Sequence, residues 1–391
     1  MVYITVKQSP HYHQMSLEEL LFGEPEVDTK PQYYNPNLTN TRTYEVEKVS
    51  DKFKKRINVD NLIVKLMKFN ENTAELRAKP RHDLYYSFHI PKKSGGLRQI
   101  NAPEPELKAA LYTLKAMFEQ DFYALYHTSA FAYIPGRSTL ACMKRHQQNE
   151  SKWYEKLDLH DFFGSTTLDF VMKMFSQIFP FSEVIKDPTG EKALRDALEL
   201  AFLDGGLPQG TPISPLITNI MMIPIDFKIA NTLRDYTYTD ADGKSVDQRF
   251  VYTRYADDFQ ISSKYDFRFD EIQKVITNIL ASFGAPFSLN AKKTRYGSTA
   301  GRNWNLGLMT NNDNEITVGY KKKRQFQAML SSYIMDKKNG NDWDKHDIQT
   351  MDGLRNYYKM VEGDTIDRII KHIGEKFGVD VVKMMKEDLR A

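Results

Sequence analysis

The segment from residue 250 to residue 262 places two adjacent carboxylates, Asp257 and Asp258, between two runs of aromatic and β-branched residues. Such runs are typical of strands, because these side chains pack well on a pleated, half-buried surface. The segment therefore predicts a β-hairpin with the acidic pair at its turn. Aspartate is rarely placed beside so much apolar surface unless it is paired or binds a metal. A plain turn between two strands is the alternative, since Asp is common in turns.

A third carboxylate, Asp158, lies near the end of a predicted strand at residues 153–159. A side chain at the end of a strand can leave the sheet and meet a metal held by residues from another strand. Asp161 follows three residues later, and a helix cap or a surface position explains it more simply than a ligand role. His160 has no partner at metal-ligand spacing, so we interpret it as structural.

A glycine tip is predicted within residues 85–100, where two strand-like runs flank Lys93, Gly95 and Gly96. Such a tip lets backbone N–H groups approach an anion, and Arg98 adds a rigid fork for phosphate oxygens. An exposed hairpin with surface charge is the alternative.

Two further loops have the composition of binding loops. Arg137 follows a Pro-Gly turn and precedes a predicted helix, where it would suit a phosphodiester backbone or serve only as part of a cap. Residues 205–215 contain three prolines and three glycines and precede a long apolar helix predicted at 216–231. Such a rigid loop suits a substrate whose phosphates or base must be positioned, although a merely constrained loop is the simpler interpretation.

Composition excludes some classes of protein without choosing a function. The chain has 391 residues, of which 41% are hydrophobic and 27% charged, so it is an ordinary globular sequence with room for two or three subdomains. The net charge of +3 barely argues for nucleic acid, whereas basic clusters at 52–56, 292–295 and 321–324 argue for it better. The single cysteine fits a reducing compartment, and we see no membrane-spanning run or signal peptide. We therefore expect a cytoplasmic protein without membrane partners.

In their order, these segments resemble the bacterial reverse transcriptases of the retron, group II intron and antiphage-defence lineages. The resemblance spans residues 85–325 and rests on these motifs: Lys-x-Gly-Gly-x-Arg-x-Ile-x-Ala-Pro from Lys93, Tyr-x-Pro-Gly-Arg-Ser from Tyr133, Asp-x-x-Asp-Phe-Phe from Asp158, Leu-Pro-Gln-Gly-x-x-x-Ser-Pro from Leu207, Tyr-Ala-Asp-Asp from Tyr255, Leu-Asn-x-x-Lys-Thr from Leu289 and Leu-Gly-Leu from Leu306. Each motif is weak alone, but the Leu-Pro-Gln-Gly motif before Tyr-Ala-Asp-Asp is specific.

The resemblance implies an α+β fold shaped like a right hand. We expect fingers, a palm whose antiparallel sheet is backed by helices, and a helical thumb. The expected boundaries are an N-terminal extension at 1–45, fingers with interleaved palm elements at 46–150, the palm at 151–310, and a helical thumb and C-terminal region at 311–391.

The activity implied is RNA-directed DNA polymerisation, in which cDNA is made from dNTPs. Two Mg²⁺ ions, replaceable by Mn²⁺, would activate the primer 3′-hydroxyl and stabilise the pyrophosphate, since hard cations prefer carboxylate oxygens and share their shell with phosphates. Asp158, Asp257 and Asp258 would be the catalytic and metal-binding residues, with Asp258 in a weaker or indirect role.

The resemblance also assigns residues to the substrates. Lys93 and Arg98 would bind the triphosphate, and Phe163 would lie under the sugar and exclude a 2′-hydroxyl. The other candidates are Gln209 and Gly210 near the nucleotide and template, Lys293 at the pyrophosphate, Arg137 on the template backbone, and Asn305, Leu306, Gly307 and Leu308 at the primer end.

Three rival activities share this palm. An RNA-dependent RNA polymerase is disfavoured by Phe163 and by Tyr-Ala-Asp-Asp in place of Gly-Asp-Asp. A catalytically dead nucleic-acid scaffold is disfavoured by the intact carboxylates. Untemplated or protein-primed DNA synthesis by the same site stays open.

The motifs also bear on the lineage. The Asn-Ala-x-x-His and Val-Thr-Gly segments typical of retron enzymes are missing, which argues against a retron enzyme making RNA-linked DNA. Ser214-Pro215 disfavours the diversity-generating group, and no zinc cluster or endonuclease segment follows the thumb. We therefore expect an antiphage-defence enzyme that copies a cognate non-coding RNA from a DNA or RNA primer. A homo-oligomer or an operon-encoded protein would be its further partner.

Overall fold

The computed structural model describes residues 3–6, 13–16, 58–91, 95–122, 126–239, 243–301 and 305–390, and it confirms the predicted α+β class. The chain divides into two compact units. The first consists of Met1–Ser138 and Glu155–Arg295, and the second of Thr139–Tyr154 and Tyr296–Ala391. The expected division into extension, fingers, palm and thumb stays a prediction.

The first unit contains most of the helices in the described ranges. Its first helices are α1 (Val59–Asn72), α2 (Ala74–Ala78) and α3 (Pro105–Phe122). The next helix along the chain, α4 (Thr139–Gln148), belongs to the second unit. The first unit then continues with α5 (Phe162–Ser165), α6 (Leu168–Phe175), α7 (Phe181–Lys186), α8 (Pro188–Glu199), α9 (Ser214–Met221), α10 (Ile223–Arg234) and α11 (Phe269–Ser282).

The described strands up to residue 263 include four antiparallel pairs. They are β1 (Tyr3–Val6) with β2 (His13–Ser16), β3 (Tyr85–Pro91) with β4 (Leu97–Pro103), β6 (Thr237–Thr239) with β7 (Ser245–Asp247), and β8 (Val251–Tyr255) with β9 (Asp258–Ser263). Strand β5 (Trp153–Asp158) lies beside β9, so that the order is β5-β9-β8. The predicted hairpins at 85–100 and around Asp257 are both confirmed.

Helices α1 and α8 pack against each other, because their apolar faces must be buried. Helix α1 begins at Asn58, whose side chain accepts a hydrogen bond from the Asn61 backbone at 2.9 Å. Its buried Asn70 donates to the carbonyl of Ala193 in α8 at 2.9 Å, which fixes the two helices together.

The predicted single apolar helix at 216–231 is instead two helices. Helix α9 ends at Met221 and α10 begins at Ile223, with Pro224 in the first turn of the second helix. Proline has no N–H to donate and is tolerated only in the first turn, which explains the break. The apolar pattern continues through the break because both helices are buried.

The second unit is mostly helical after residue 320. It contains α4, β10 (Arg295–Ser298) from Tyr296 onward, the pair β11 (Met309–Thr310) and β12 (Ile316–Thr317), and the helices α12 (Tyr320–Lys338), α13 (Lys345–Phe377) and α14 (Val381–Arg390). Its core is built from Leu308, Phe326, Leu330 and residues of α13 and α14.

One irregularity in this unit has a clear cause. Glu362 interrupts α13 with φ −137° and ψ 57°. Its carboxylate accepts hydrogen bonds from the Val318 backbone at 2.8 Å and from the Lys323 ammonium at 2.7 Å. No helix in the described part of the chain is both long and apolar enough to cross a membrane.

Candidate active site

The acidic pair lies at the tip of the β8–β9 hairpin. Tyr255 pairs with Asp258, which leaves Ala256 and Asp257 as the two turn residues. Ala256 has φ 58°, in the left-handed region that costs a non-glycine residue about 1–3 kcal/mol. The strain has to be offset by the contacts that hold this turn.

A buried ion pair supplies those contacts. Arg254 is 1% exposed and Asp226 is 0% exposed, and their closest N–O distance is 2.8 Å. Arg254 also donates to Oδ1 of Asn219 at 3.1 Å and to the carbonyl of Ala256 at 3.2 Å. The hydroxyl of Tyr252 donates to Asp226 at 2.8 Å. The arginine thus ties the strained turn to helices α9 and α10.

Backbone hydrogen bonds bring Asp158 to the same turn. The amide of Leu159, directly after Asp158, donates to the carbonyl of Asp257 at 3.1 Å. The amide of Asn290 donates to the carbonyl of Asp158 at 2.7 Å. The end of β5 therefore lies against the hairpin tip, and the three predicted carboxylates share one region.

Two ammonium groups contact these carboxylates. Lys293 Nζ lies 3.0 Å from both carboxylate oxygens of Asp158, and Asn290 Nδ2 lies 3.3 Å from Oδ2. Lys156 Nζ lies 2.8 Å from Oδ2 of Asp258. Lys156 and Asn290 were missed by our sequence analysis. Lys156 could have been found from its two-residue spacing to Asp158, which places both side chains on one face of a strand. Asn290 could have been found as the Asn of the Leu-Asn-x-x-Lys motif.

The carboxylates crowd one another electrostatically. Burial raises the pKa of Asp257, and the charges of Asp258 and Asp158 raise it further. A hydrogen bond from its own backbone amide and the charge of Lys293 lower this pKa. Burial also raises the pKa of Asp258, and Asp158 adds to this, while Lys156 and Lys293 lower it. Desolvation and like charge both disfavour the ionised forms, so a bound cation would stabilise them.

The donor set fits a hard divalent cation. Within the described ranges, no three ligating side chains are arranged to hold a metal ion. Lys293 contacts Asp158 and Lys156 contacts Asp258 instead. All three side chains offer oxygen ligands, which Mg²⁺-like ions prefer. Lys293 is 63% exposed and has solvent into which it can withdraw. Asp158, Asp257 and Asp258 are the residues that would hold such an ion.

The segment with Phe163 is held against the glycine-rich loop. The amide of Leu207 donates to the carbonyl of Phe163 at 2.9 Å. A Cβ on Gly206 would meet the carbonyl oxygen of Gly164 at 2.0 Å, so only glycine allows the two backbones to approach this closely. Phe163 itself is half-buried and packs edge-to-face on Phe162, with ring centroids 5.4 Å apart.

The same loop reaches the hairpin that carries Arg98. The amide of Asn101 in β4 donates to the carbonyl of Gln209 at 2.9 Å. Gly210 has φ 122°, and a Cβ there would meet Ile100 Cγ2 at 2.7 Å. Gln209, Gly210 and Arg98 are all exposed. Lys93, the second predicted triphosphate ligand, lies outside the described residues.

Arg137 contacts the protein's own backbone. Its guanidinium donates to the carbonyl of His127 at 2.6 Å and to the carbonyl of Ala130. These bonds brace the loop that precedes it. A contact with the template backbone stays a prediction.

The predicted primer-end residues form a tight turn in the second unit. Asn305 and Leu308 exchange two backbone hydrogen bonds of 2.7 and 2.8 Å, and both side chains are buried. Leu306 and Gly307 have positive φ values of 49° and 82°, and Lys322 Nζ bonds to the Gly307 carbonyl at 2.5 Å. Leu306 and Gly307 are the part of this turn that a primer could touch.

Three features together define the class of protein. They are the acidic hairpin tip, the third carboxylate at the end of the adjacent strand, and the glycine-rich loop that contacts both the Phe163 segment and the hairpin carrying Arg98. This is the arrangement of a palm-type nucleic-acid polymerase, in which phosphoryl transfer depends on positioning and charge.

Comparison with known families names the family within that class. The family described as reverse transcriptase (RNA-dependent DNA polymerase) matches residues 90–328, and the chain therefore belongs to it. It is an RNA-directed DNA polymerase, as the sequence analysis predicted.

The curated relatives show similarity to retron reverse transcriptases. It is 28% identical to the retron Ec83 reverse transcriptase of Escherichia coli over 312 residues, which are 78% of this chain and 90% of that protein. It is 27% identical to the retron Mx65 reverse transcriptase of Myxococcus xanthus over 75% of this chain and 65% of that protein. Among solved structures, the apo telomerase of Candida tropicalis aligns with a TM-score of 0.41 at 13% identity, over 80% of this chain and 62% of that chain.

These relatives correct one expectation. The absence of two short motifs argued against a retron assignment, but the similarity over most of the chain supports a bacterial retron-type enzyme. Short segments can diverge while the rest of the fold keeps its sequence, so their absence had too much weight.

Proposed function

We propose that this enzyme copies a cognate non-coding RNA into DNA with two Mg²⁺ ions held by Asp158, Asp257 and Asp258. The observation that carries the proposal is the junction of Asp158 with the hairpin tip, where Leu159 bonds to the carbonyl of Asp257. Bound there, the two ions would activate the primer 3′-hydroxyl and stabilise the leaving pyrophosphate.

The chain's own residues supply positioning and charge. Arg98, exposed on β4, would bind the triphosphate of the incoming dNTP, together with Lys93. Lys293 would leave Asp158 and donate to the pyrophosphate as it departs. Gln209 and Gly210, exposed at the loop tip, would face the nucleotide and the template base.

Phe163 would select deoxyribonucleotides. Its backbone is fixed by the bond to Leu207 and by the glycine contact beside it, so its ring cannot easily retreat from a ribose 2′-hydroxyl. A rigid steric gate of this kind supports DNA rather than RNA as the product.

The similarity to retron reverse transcriptases supports RNA as the template. That this RNA is a cognate non-coding one is proposed from the sequence resemblance alone. We also propose, from the sequence resemblance alone, a role in antiphage defence. Arg137 and the turn at Leu306 and Gly307 are the proposed contacts for template and primer.

Primer extension tests the activity. Purified full-length protein is given poly(rA) with an oligo(dT) primer, labelled dTTP and Mg²⁺. We expect DNA extension by the wild type and by Asp235→Asn, a matched control because Asp235 is 51% exposed and forms an ion pair with the exposed Arg234. The double variant Asp257→Ala/Asp258→Ala should be folded, by circular dichroism, and inactive. Retained extension in that variant would refute the assigned site.

The template is identified from the protein purified with its natural operon. Nucleic acid that copurifies is extended with labelled dNTPs and Mg²⁺, and the product is sequenced. A defined cDNA of a bound RNA would support the proposal. A homopolymer, or DNA bound covalently to the protein, would refute templated copying and point to untemplated or protein-primed synthesis.

A further inference from the structure

Tyr133 is the exposed residue of an otherwise buried segment. Its side chain is 58% exposed, whereas its neighbours Phe131, Ala132 and Ile134 are at most 8% exposed. It also has φ 59°, in the left-handed region that is unfavourable for a bulky residue. Packing does not explain a strained backbone that presents an aromatic ring to solvent.

Hydrogen bonds bring this segment alongside the catalytic hairpin. Ala130 forms a parallel bridge with Arg254. The amide of Phe131 donates to the carbonyl of Arg254 at 2.8 Å, and the amide of Arg254 donates to the carbonyl of Ser129 at 2.6 Å. The loop that carries Tyr133 therefore begins beside the strand that leads into the turn at Asp257.

The backbone before Tyr133 is fixed from two sides. Asn219 donates to the carbonyl of Ala132 at 2.8 Å, and Arg137 donates to the carbonyl of Ala130. The same Asn219 accepts from Arg254 at 3.1 Å. One network therefore holds both the catalytic turn and the loop that presents Tyr133.

The charges around the phenol fit a position between two substrate contacts. Partial burial of the side chain raises the pKa of Tyr133, the charges of Asp257 and Tyr255 raise it further, and Arg98 lowers it. Both the catalytic carboxylate and the arginine of β4 thus act on this side chain. At neutral pH the phenol stays protonated and can donate a hydrogen bond.

We propose that Tyr133 is a further nucleotide-binding residue, whose hydroxyl donates to a phosphate oxygen of the incoming dNTP between Arg98 and Asp257. The inference rests on the proposed function, because it assigns a role within the same site. It adds a contact from the loop at 131–137 to those from β4 and from the glycine-rich loop.

Steady-state primer extension on poly(rA) with oligo(dT), with dTTP varied, tests the assignment. Tyr133→Phe removes only the hydroxyl and keeps the ring. We expect its KM for dTTP to rise about tenfold, equivalent to about 1.4 kcal/mol, with kcat within about twofold of the wild type. Tyr112→Phe is the matched control, because Tyr112 is a tyrosine 50% exposed on α3, and its KM should not change.

The outcomes separate the two proposals. An unchanged KM in Tyr133→Phe, or a fall in kcat alone, with an active wild type would overturn the nucleotide contact and leave the proposed function intact. A wild type unable to extend the primer would overturn both.

Discussion

Replacing Arg254 by methionine should test whether one buried guanidinium holds the catalytic turn. Within the described residues, the side chain of Arg254 makes five hydrogen bonds, three to Asp226 and one each to Asn219 and the carbonyl of Ala256. Methionine has a similar length and no charge, so the change removes these bonds with little change in volume.

The expected loss of stability in Arg254→Met follows from the Asp226 carboxylate, which stays buried without its partner. The carboxylate of Asp226 is 0% exposed and would keep the bond from the Tyr252 hydroxyl while losing its countercharge. Removing one partner of a buried pair costs about 3–5 kcal/mol, a large part of the roughly 5–15 kcal/mol by which proteins are stable. We expect Arg254→Met to lower the free energy of unfolding by this amount.

A double variant separates stability from positioning. Asp226→Leu/Arg254→Met removes both charges, and a buried pair replaced by apolar side chains often loses little stability. It should regain most of the lost stability. Its polymerase activity should stay at least about tenfold below the wild type, since the carbonyl of Ala256 and the side chain of Asn219 still lack their donor.

Urea unfolding followed by circular dichroism, together with primer extension, measures both effects. Arg268→Met serves as the control, because Arg268 is 72% exposed and pairs only at the surface. Wild-type stability in Arg254→Met would contradict the role of the ion pair. Full activity in the double variant would contradict the positioning of the turn.

Three further outcomes follow from the site. The pKa of Asp257 is raised, so its ionised form destabilises the fold at neutral pH. Asp257→Asn should therefore raise the melting temperature without metal, and it should abolish the further rise that Mg²⁺ gives the wild type. An equal Mg²⁺ effect in both proteins would contradict the ligand role. Phe163→Ala should increase ribonucleotide incorporation, measured by competition of rUTP with dTTP, and an unchanged ratio would exclude a gate. Burial raises the pKa of Glu155 from 4.5 to about 7, so its ionisation costs stability as the pH rises through that range. In urea unfolding, Glu155→Gln should increase the free energy of unfolding by about 3 kcal/mol at pH 8 and by about 1 kcal/mol at pH 5, unlike the exposed control Glu199→Gln. An equal increase at both pH values would contradict this.

The sequence predicted the parts of the site that local pattern determines. Alternating aromatic and β-branched residues around Asp257 determine a hairpin, because the side-chain period of a strand is two. The end of β5 at Asp158 follows from the same pattern. The order of the motifs then indicated the family, which the match to residues 90–328 confirmed.

Long-range pairs had no such signal. Arg254 and Asp226 are 28 residues apart, and Lys293 and Asp158 are 135 residues apart. Neither pair shares a helix or strand, so only the folded backbone shows that they meet. The basic cluster at 292–295 suggested nucleic acid, whereas its Lys293 forms an ion pair with Asp158 in the structure.

The strain in the site and the buried ion pair are parts of one energetic arrangement. Ala256 and Tyr133 both have positive φ near 60°, at a cost of about 1–3 kcal/mol each. The Arg254 and Asn219 network holds the carbonyl of Ala256 itself and the carbonyl of Ala132, the residue before Tyr133. Its hydrogen bonds can offset a cost of this size because they are buried, where an unmade bond is expensive. The network thus keeps the carboxylate turn and the Tyr133 loop in conformations that neither sequence segment would adopt alone, which explains why an uncommon buried arginine lies next to Asp257 and Asp258.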